Sequence, residues 1–144
     1  MSGLYGIGKV TTLKALNSGA TLKLLGEEDV TMAEVVSDAT SFISACYSSM
    51  YYGSMSEMRY AAWSRKMANT KISSAPKLKS LPPTSEAFTH HVYHAHYQTL
   101  IWKSSFANPV QYRWTETEDK KLLPVALPDV SPAPAEVLQM IKCG

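Results

Sequence analysis

Apolar positions along this chain recur at spacings of three and four, in segments separated by short breaks. The first segment runs from about Lys9 to Asn17, opened by the tight sequence Gly6-Ile7-Gly8 and broken by Ser18-Gly19. A brief Leu-rich stretch (Leu22, Leu24, Leu25) then leads into an acidic turn at Glu27–Asp29. The second segment is the best marked. Thr31 and Glu34 have the T-x-x-E form of a capping box, in which each side chain satisfies a backbone N–H of the other's residue. Behind them Met32, Val35, Val36, Ala39, Phe42, Ile43, Cys46, Tyr47 and Met50 form one stripe, which predicts an amphipathic helix over Thr31–Tyr52. Gly53 is expected to end it with a left-handed cap. Ser54 and Glu57 repeat the box and open a helix to about Met67, with Met55, Met58 and Ala62 facing inward and Trp63 a further candidate.

From Asn69 to Pro83 the periodicity stops, and Leu81-Pro82-Pro83 is expected to be extended because each proline restricts the residue before it. Thr84 or Ser85 caps the longest predicted helix, about Ser85 to Phe106, with Phe88, Val92, Ala95, Thr99, Trp102 and Phe106 on one face and Asn108-Pro109 as its stop. The remainder reads as irregular. Tyr112, Trp114, Leu122, Leu123, Val125 and Leu127 are expected to anchor it across the helices. Ser131-Pro132-Ala133-Pro134 then starts a short helix carrying Val137, Leu138 and Ile141. No convincing hairpin turn is found. The expected fold is therefore all-α, a helical bundle with irregular connections and a helix-hairpin-helix-like turn at its start. Residues 1–68 hold that turn and the paired helices, 69–83 form a basic Pro/Ser/Lys linker, and 84–144 pack on the same core.

Composition adds little to the fold but bounds the function. With 144 residues and 45% hydrophobic content the chain suits one folded unit. No apolar run approaches the ~20 residues of a membrane helix, and Lys9 and Lys14 interrupt anything resembling a signal peptide. Cys46 and Cys143 are too few for a disulfide framework, so a reducing compartment, nucleus or cytoplasm, is expected. The net charge of +2 is unevenly spread: between Met58 and Ser85 there is no acid, while Arg59, Arg65, Lys66, Lys71, Lys77 and Lys79 all fall there. Such a block is either a solvated face or a phosphate contact.

Leu4-Tyr5-Gly6-Ile7-Gly8-Lys9, followed by Thr12, Leu13 and Leu16, has the form of a helix-hairpin-helix turn. Two glycines about an apolar residue let the backbone turn sharply and present N–H groups beside a helix N-terminus, where a phosphate oxygen can sit. The same residues also suit a plain tight turn. His90, His91, His94 and His96 cluster on the long helix, and Glu86, His90 and His94 lie a turn apart, as a metal site would need. A polar helix face explains them equally, and no metal or other cofactor is expected. Tyr51, Tyr52, Tyr60, Trp63, Tyr93 and Tyr97 suit either a core or base stacking. Cys46, on the apolar stripe, reads as an inert core thiol.

Ser2 through Lys9 resembles a segment in a family of invertebrate proteins associated with mobile elements, in which a PIN-like, flap-endonuclease-like fold precedes a G-x-G-K turn and a helix. Leu25-Gly26-Glu27 is similar to that family's L-G-E, Cys46-Tyr47 with Tyr52-Gly53 to its C-x-L-Y-G, and Met58-Arg59-Tyr60 to its L-R-Y. Leu81-Pro82-Pro83-Thr84 through Ala95, then Ile101-Trp102-Lys103, resembles its L-P-P-T and W-K helix, and Trp114, Pro132-Ala133-Pro134 and Lys142-Cys143 close the pattern. The resemblance implies the C-terminal part of a PIN-like protein. It departs from the family in lacking the upstream acidic strands, whose carboxylates would converge on divalent metals, and the further cysteines after Cys143. Met1 before the hairpin and the stop after Cys143 read as a fragment or gene remnant.

Two functions follow as expectations. The first is a non-catalytic module that binds nucleic-acid backbones without sequence preference through Gly6, Ile7, Gly8, Lys9, Lys14, Arg65, Lys66, Lys71, Lys77 and Lys79. The second is a helical module for protein interaction, its partner another protein or the missing N-terminal segment. Neither requires a membrane.

Overall fold

The structure, a computed structural model, describes residues 4, 6–48, 50, 52–69 and 77–127. Four α-helices dominate it: α1 (Lys9–Asn17), α2 (Met32–Tyr47), α3 (Met55–Asn69) and α4 (Ser85–Trp102). Short 3-10 turns at Leu78–Ser80 and Pro109–Tyr112 precede α4 and a small antiparallel hairpin, β1 (Trp114–Glu116) with β2 (Leu122–Pro124). The fold is mostly helical, as the periodicity predicts. The final predicted helix lies outside the described residues.

α2 forms because its first turn is fully capped. The Thr31 side chain accepts from the Glu34 amide, and the Glu34 carboxylate accepts from the Thr31 amide at 2.9 Å and its hydroxyl at 2.7 Å. These bonds hold the Glu34 carboxyl below its ordinary range. Val35, Ala39, Phe42 and Ile43 then enter the core, where Met55 and Met58 of α3 and Phe88 and Val92 of α4 meet them. The helix ends at Tyr47, earlier than the stripe predicts. Ser48 is extended, and the fully buried Ser44 hydroxyl donates to the Met50 carbonyl while accepting from the Tyr52 amide. That side chain replaces the next helical turn, leaves Met50 exposed, and removes the need for a left-handed cap at Gly53.

α4 is turned relative to its predicted face. Phe88 and Val92 are buried as expected, but Trp102 is exposed and Phe106 lies beyond the helix in solvent. The buried row continues instead through His96 and Leu100. Ser104, in the left-handed region at φ 65°, stops the helix, with the Ser105 amide bonded to the Leu100 carbonyl. His96 stays buried because it has a partner: the Gly26 amide donates to its Nδ1 at 3.0 Å. Gly26 has φ +81°, and a Cβ there would sit 2.4 Å from Thr99 Cγ2, so only glycine brings the loop this close to α4. Glu27 pairs with Lys103 at 2.7 Å and Ser105 donates to Glu28, while on the loop's other side Asp38 of α2 accepts from the amides of Lys23 and Leu24.

The segment predicted to be a linker is, in its described part, built into the body. Leu81 and Pro82 are buried, Arg59 donates to the Pro82 carbonyl, and Lys66 Nζ donates to the Ser80 carbonyl at 2.9 Å and its hydroxyl at 2.6 Å. Lys71 lies outside the described residues. The hairpin also departs from the expected irregular region. Thr117 accepts from the Lys120 amide and exchanges backbone and side-chain bonds with Lys121, and Lys120 takes the left-handed position at φ 57°. Tyr112 and Trp114 do lie across α4, against Tyr97, His96 and His94, whereas Leu122, Leu123, Val125 and Leu127 are exposed.

Two measurements follow from the Gly26 contact. Gly26→Ala should destabilise the protein by about 2–4 kcal/mol through backbone strain and overlap with Thr99, lowering the melting temperature by roughly 10 °C. Thr99→Ser in that background should return part of the loss, which thermal denaturation of the double variant reads directly. The second concerns pH. Burial, then the nearby Lys103, lowers the His96 pKa, and only an unprotonated Nδ1 can accept from Gly26. The unfolded state thus binds the proton more readily. Stability is fully present above about pH 6.5 and falls as pH drops toward the folded pKa, by up to about 1.4 kcal/mol per pH unit. Burial depresses His91 too, adding to the same trend. Urea titrations between neutral and mildly acidic pH should show a smaller decline in His96→Gln than in the wild type.

Candidate nucleic-acid interface

The N-terminal turn is anchored from below and open above. Leu4 and Ile7 are half-buried against the core, and the Ile7 amide closes the turn on the Leu4 carbonyl at 3.1 Å. Between them Gly6 takes φ +79°, a conformation that side chains resist. Gly8 is the N-cap residue of α1, extended at φ −113° and ψ −179°, and provides no capping side chain. Among the described residues, a Cβ on Gly8 would meet nothing within 4 Å. The first turn of α1 holds no acid, and Lys9 and Val10 are exposed there. An anion approaching this end meets backbone amides, the positive end of the helix dipole and an ammonium group together.

The predicted basic residues divide into separate sets. Lys14 sits in the last turn of α1, where its charge complements the other end of the dipole, away from the amides. Arg65 is exposed on α3, its guanidinium 3.5 Å from the Tyr52 hydroxyl. Lys66 is occupied in holding Ser80. Lys77 and Lys79 are exposed on the turn that this contact fixes. A groove of about 440 Å³ joins that turn to the N-terminal one, with Leu4, Arg59, Lys79, Phe88 and His91 in its walls. Arg59 and His91 are residues the sequence reading did not assign to a binding surface. Arg59 lay in the basic block, so charge patterning could have found it; nothing in the spacing points His91 toward Leu4.

The other candidate chemistry resolves into structure. Glu27 is paired with Lys103, Glu34 caps α2, Asp38 binds two loop amides, and Glu57 accepts from the Gly53 amide at 3.2 Å. His90 is buried. The His94 ring lies 3.1 Å from the Arg113 carbonyl, which only accepts, so Nε2 carries the proton. Among the described residues no three His, Cys, Asp or Glu side chains gather as a metal would require. Cys46 is half-buried, and burial pushes its thiol pKa up. Tyr93 lies under the Arg113 guanidinium, 5.6 Å from its ring centre, and Tyr97 is covered by Tyr112 and Trp114. Tyr60 and Trp63 remain exposed, whereas Trp63 was a candidate for the inner face. Tyr51 and Cys143 lie outside the described residues.

Among the described residues no helix is long and apolar enough to cross a membrane. Comparison of the chain with protein-family models, curated proteins and solved structures finds no match to any of them.

Proposed function

We propose that this chain is a non-catalytic module that grips nucleic-acid backbones through the Gly6–Lys9 turn, the role implied by its resemblance to the part of mobile-element proteins that follows a PIN-like fold. The observation that carries this reading is the open N-terminus of α1. Its cap position is an unhindered glycine, its first turn has no acid, and Lys9 stands beside it in solvent. Backbone amides in that arrangement bind phosphate oxygens without regard to sequence, because phosphates carry no base information. Lys79 and Arg59 line the same groove as Leu4 and add positive charge near this turn.

A second reading has its own observation. Val10, Leu13 and Leu16 of α1 are exposed, Leu13 and Leu16 being the apolar pair of the helix-hairpin-helix pattern, and the helix rests on the body through Ala15. A helical partner could cover that apolar face, as the first helix of a helix-hairpin-helix unit would, which suits an interaction module.

Gly8→Val separates the two. Gly8 is extended and unobstructed, so valine fits the fold and blocks only what approaches the amides; Gly6, with its positive φ, would be a poorer test. Binding to mixed-sequence DNA at low salt should weaken several-fold in Gly8→Val. Lys9→Ala should also weaken it and reduce the salt slope by about one unit. Unchanged binding in both folded variants, or no binding by the wild type at low salt, would favour the interaction module instead.

A further inference from the structure

We propose that α3 carries a base-stacking platform, Tyr60 and Trp63, and that the nucleic acid taken by this chain is single-stranded; the inference rests on the backbone-binding reading above. Tyr60 is 69% and Trp63 41% exposed, with ring centroids 6.1 Å apart and planes tilted by 30°. Three residues apart, they share one helix face. Their exposure is unlike that of Tyr93, Tyr97 and Trp114, which pack on one another, on α4 or beneath Arg113.

The surroundings select the occupant. No acid occurs between Met58 and Ser85, and Glu57, one turn before Tyr60, is folded back onto the Gly53 amide. Arg59, one turn before Trp63, and Lys66, one turn beyond it, are cations on the same side of α3, bonded to the Pro82 carbonyl and to Ser80. Two aromatic faces beside the cations Arg59 and Lys66, with the one neighbouring carboxylate, Glu57, turned onto the Gly53 amide, suit a polyanion whose links carry flat rings. Duplex bases are already stacked and paired, so their faces are closed to such a platform, whereas a single strand offers them. An apolar protein helix would satisfy the rings but leave the cations without a role.

The test compares a short mixed-sequence single strand with the duplex of the same sequence, both titrated against the full chain at low salt. The single strand should bind about tenfold more tightly. Trp63→Ala should cost about tenfold on the single strand and little on the duplex, with Trp63→Phe retaining most of the affinity. Tyr60→Ala, at a more exposed position, provides a second variant should Trp63→Ala perturb the fold. Lys9→Ala should weaken both substrates alike. If Trp63→Ala and Tyr60→Ala bind the single strand as the wild type does while Lys9→Ala still weakens it, the platform is refuted and the backbone reading stands. If the wild type binds neither substrate, the backbone reading itself fails, and the exposed rings belong to a protein partner.

Discussion

One hydrogen bond, from the Gly26 amide to Nδ1 of His96, joins positions 70 residues apart and sets the arrangement around it. It permits a histidine to occupy the buried row of α4, because the ring's acceptor is satisfied and its neutral form is the one selected. It also needs a glycine, since the amide reaches His96 only where the backbone presses against Thr99. With Asp38 holding Lys23 and Leu24 from α2, the loop between α1 and α2 is clamped between two helices. The position of α1, and of the turn before it, follows from that clamp and from the seating of Leu4 and Ile7 on the core.

The short motifs of the family resemblance meet in pairs in space. Leu25-Gly26-Glu27 docks on the α4 end that includes Ile101-Trp102-Lys103, through the Glu27–Lys103 pair. Met58-Arg59-Tyr60 meets Leu81-Pro82-Pro83-Thr84 through Arg59 and the Pro82 carbonyl. Both contacts hold one part of the chain against another, so these residues have structural work that needs no ligand. The Gly6–Lys9 turn differs. Its apolar members are seated on the core, while its glycine cap and lysine are exposed, with no described residue within 4 Å of a Cβ on Gly8. Within this turn, scaffold and proposed binding surface are separate residues, whereas Arg59 belongs to both.

Much of the helical content was legible because its signals are local. The Thr31/Glu34 box is present with both of its bonds, α1 spans Lys9–Asn17, and α3 begins just after Ser54. What was not legible depended on distant partners or on unusual conformations of ordinary residues. His96 reads as polar until Gly26 is found opposite it, which turns the buried face of α4 away from Trp102. Ser104 and Lys120 adopt left-handed backbone without the glycine that would announce it, so the end of α4 and the β1–β2 turn left no mark in the sequence. Of the candidate site, the Gly6–Lys9 turn could be read directly. The involvement of Lys66 with Ser80, and the placing of Lys79 and Arg59 near Leu4, required the fold.

The body clamped at Gly26 presents on one side the open Gly6–Lys9 turn proposed to bind phosphates. Amide-resolved NMR of the labelled chain, titrated with a short oligonucleotide at low salt, tests it most directly. The amides of Gly8, Lys9 and Val10 should shift progressively to saturation while the buried Gly26 amide keeps its position. Shifts that leave residues 6–10 untouched, or that move Gly26 and the α4 amides around His96 instead, would contradict it.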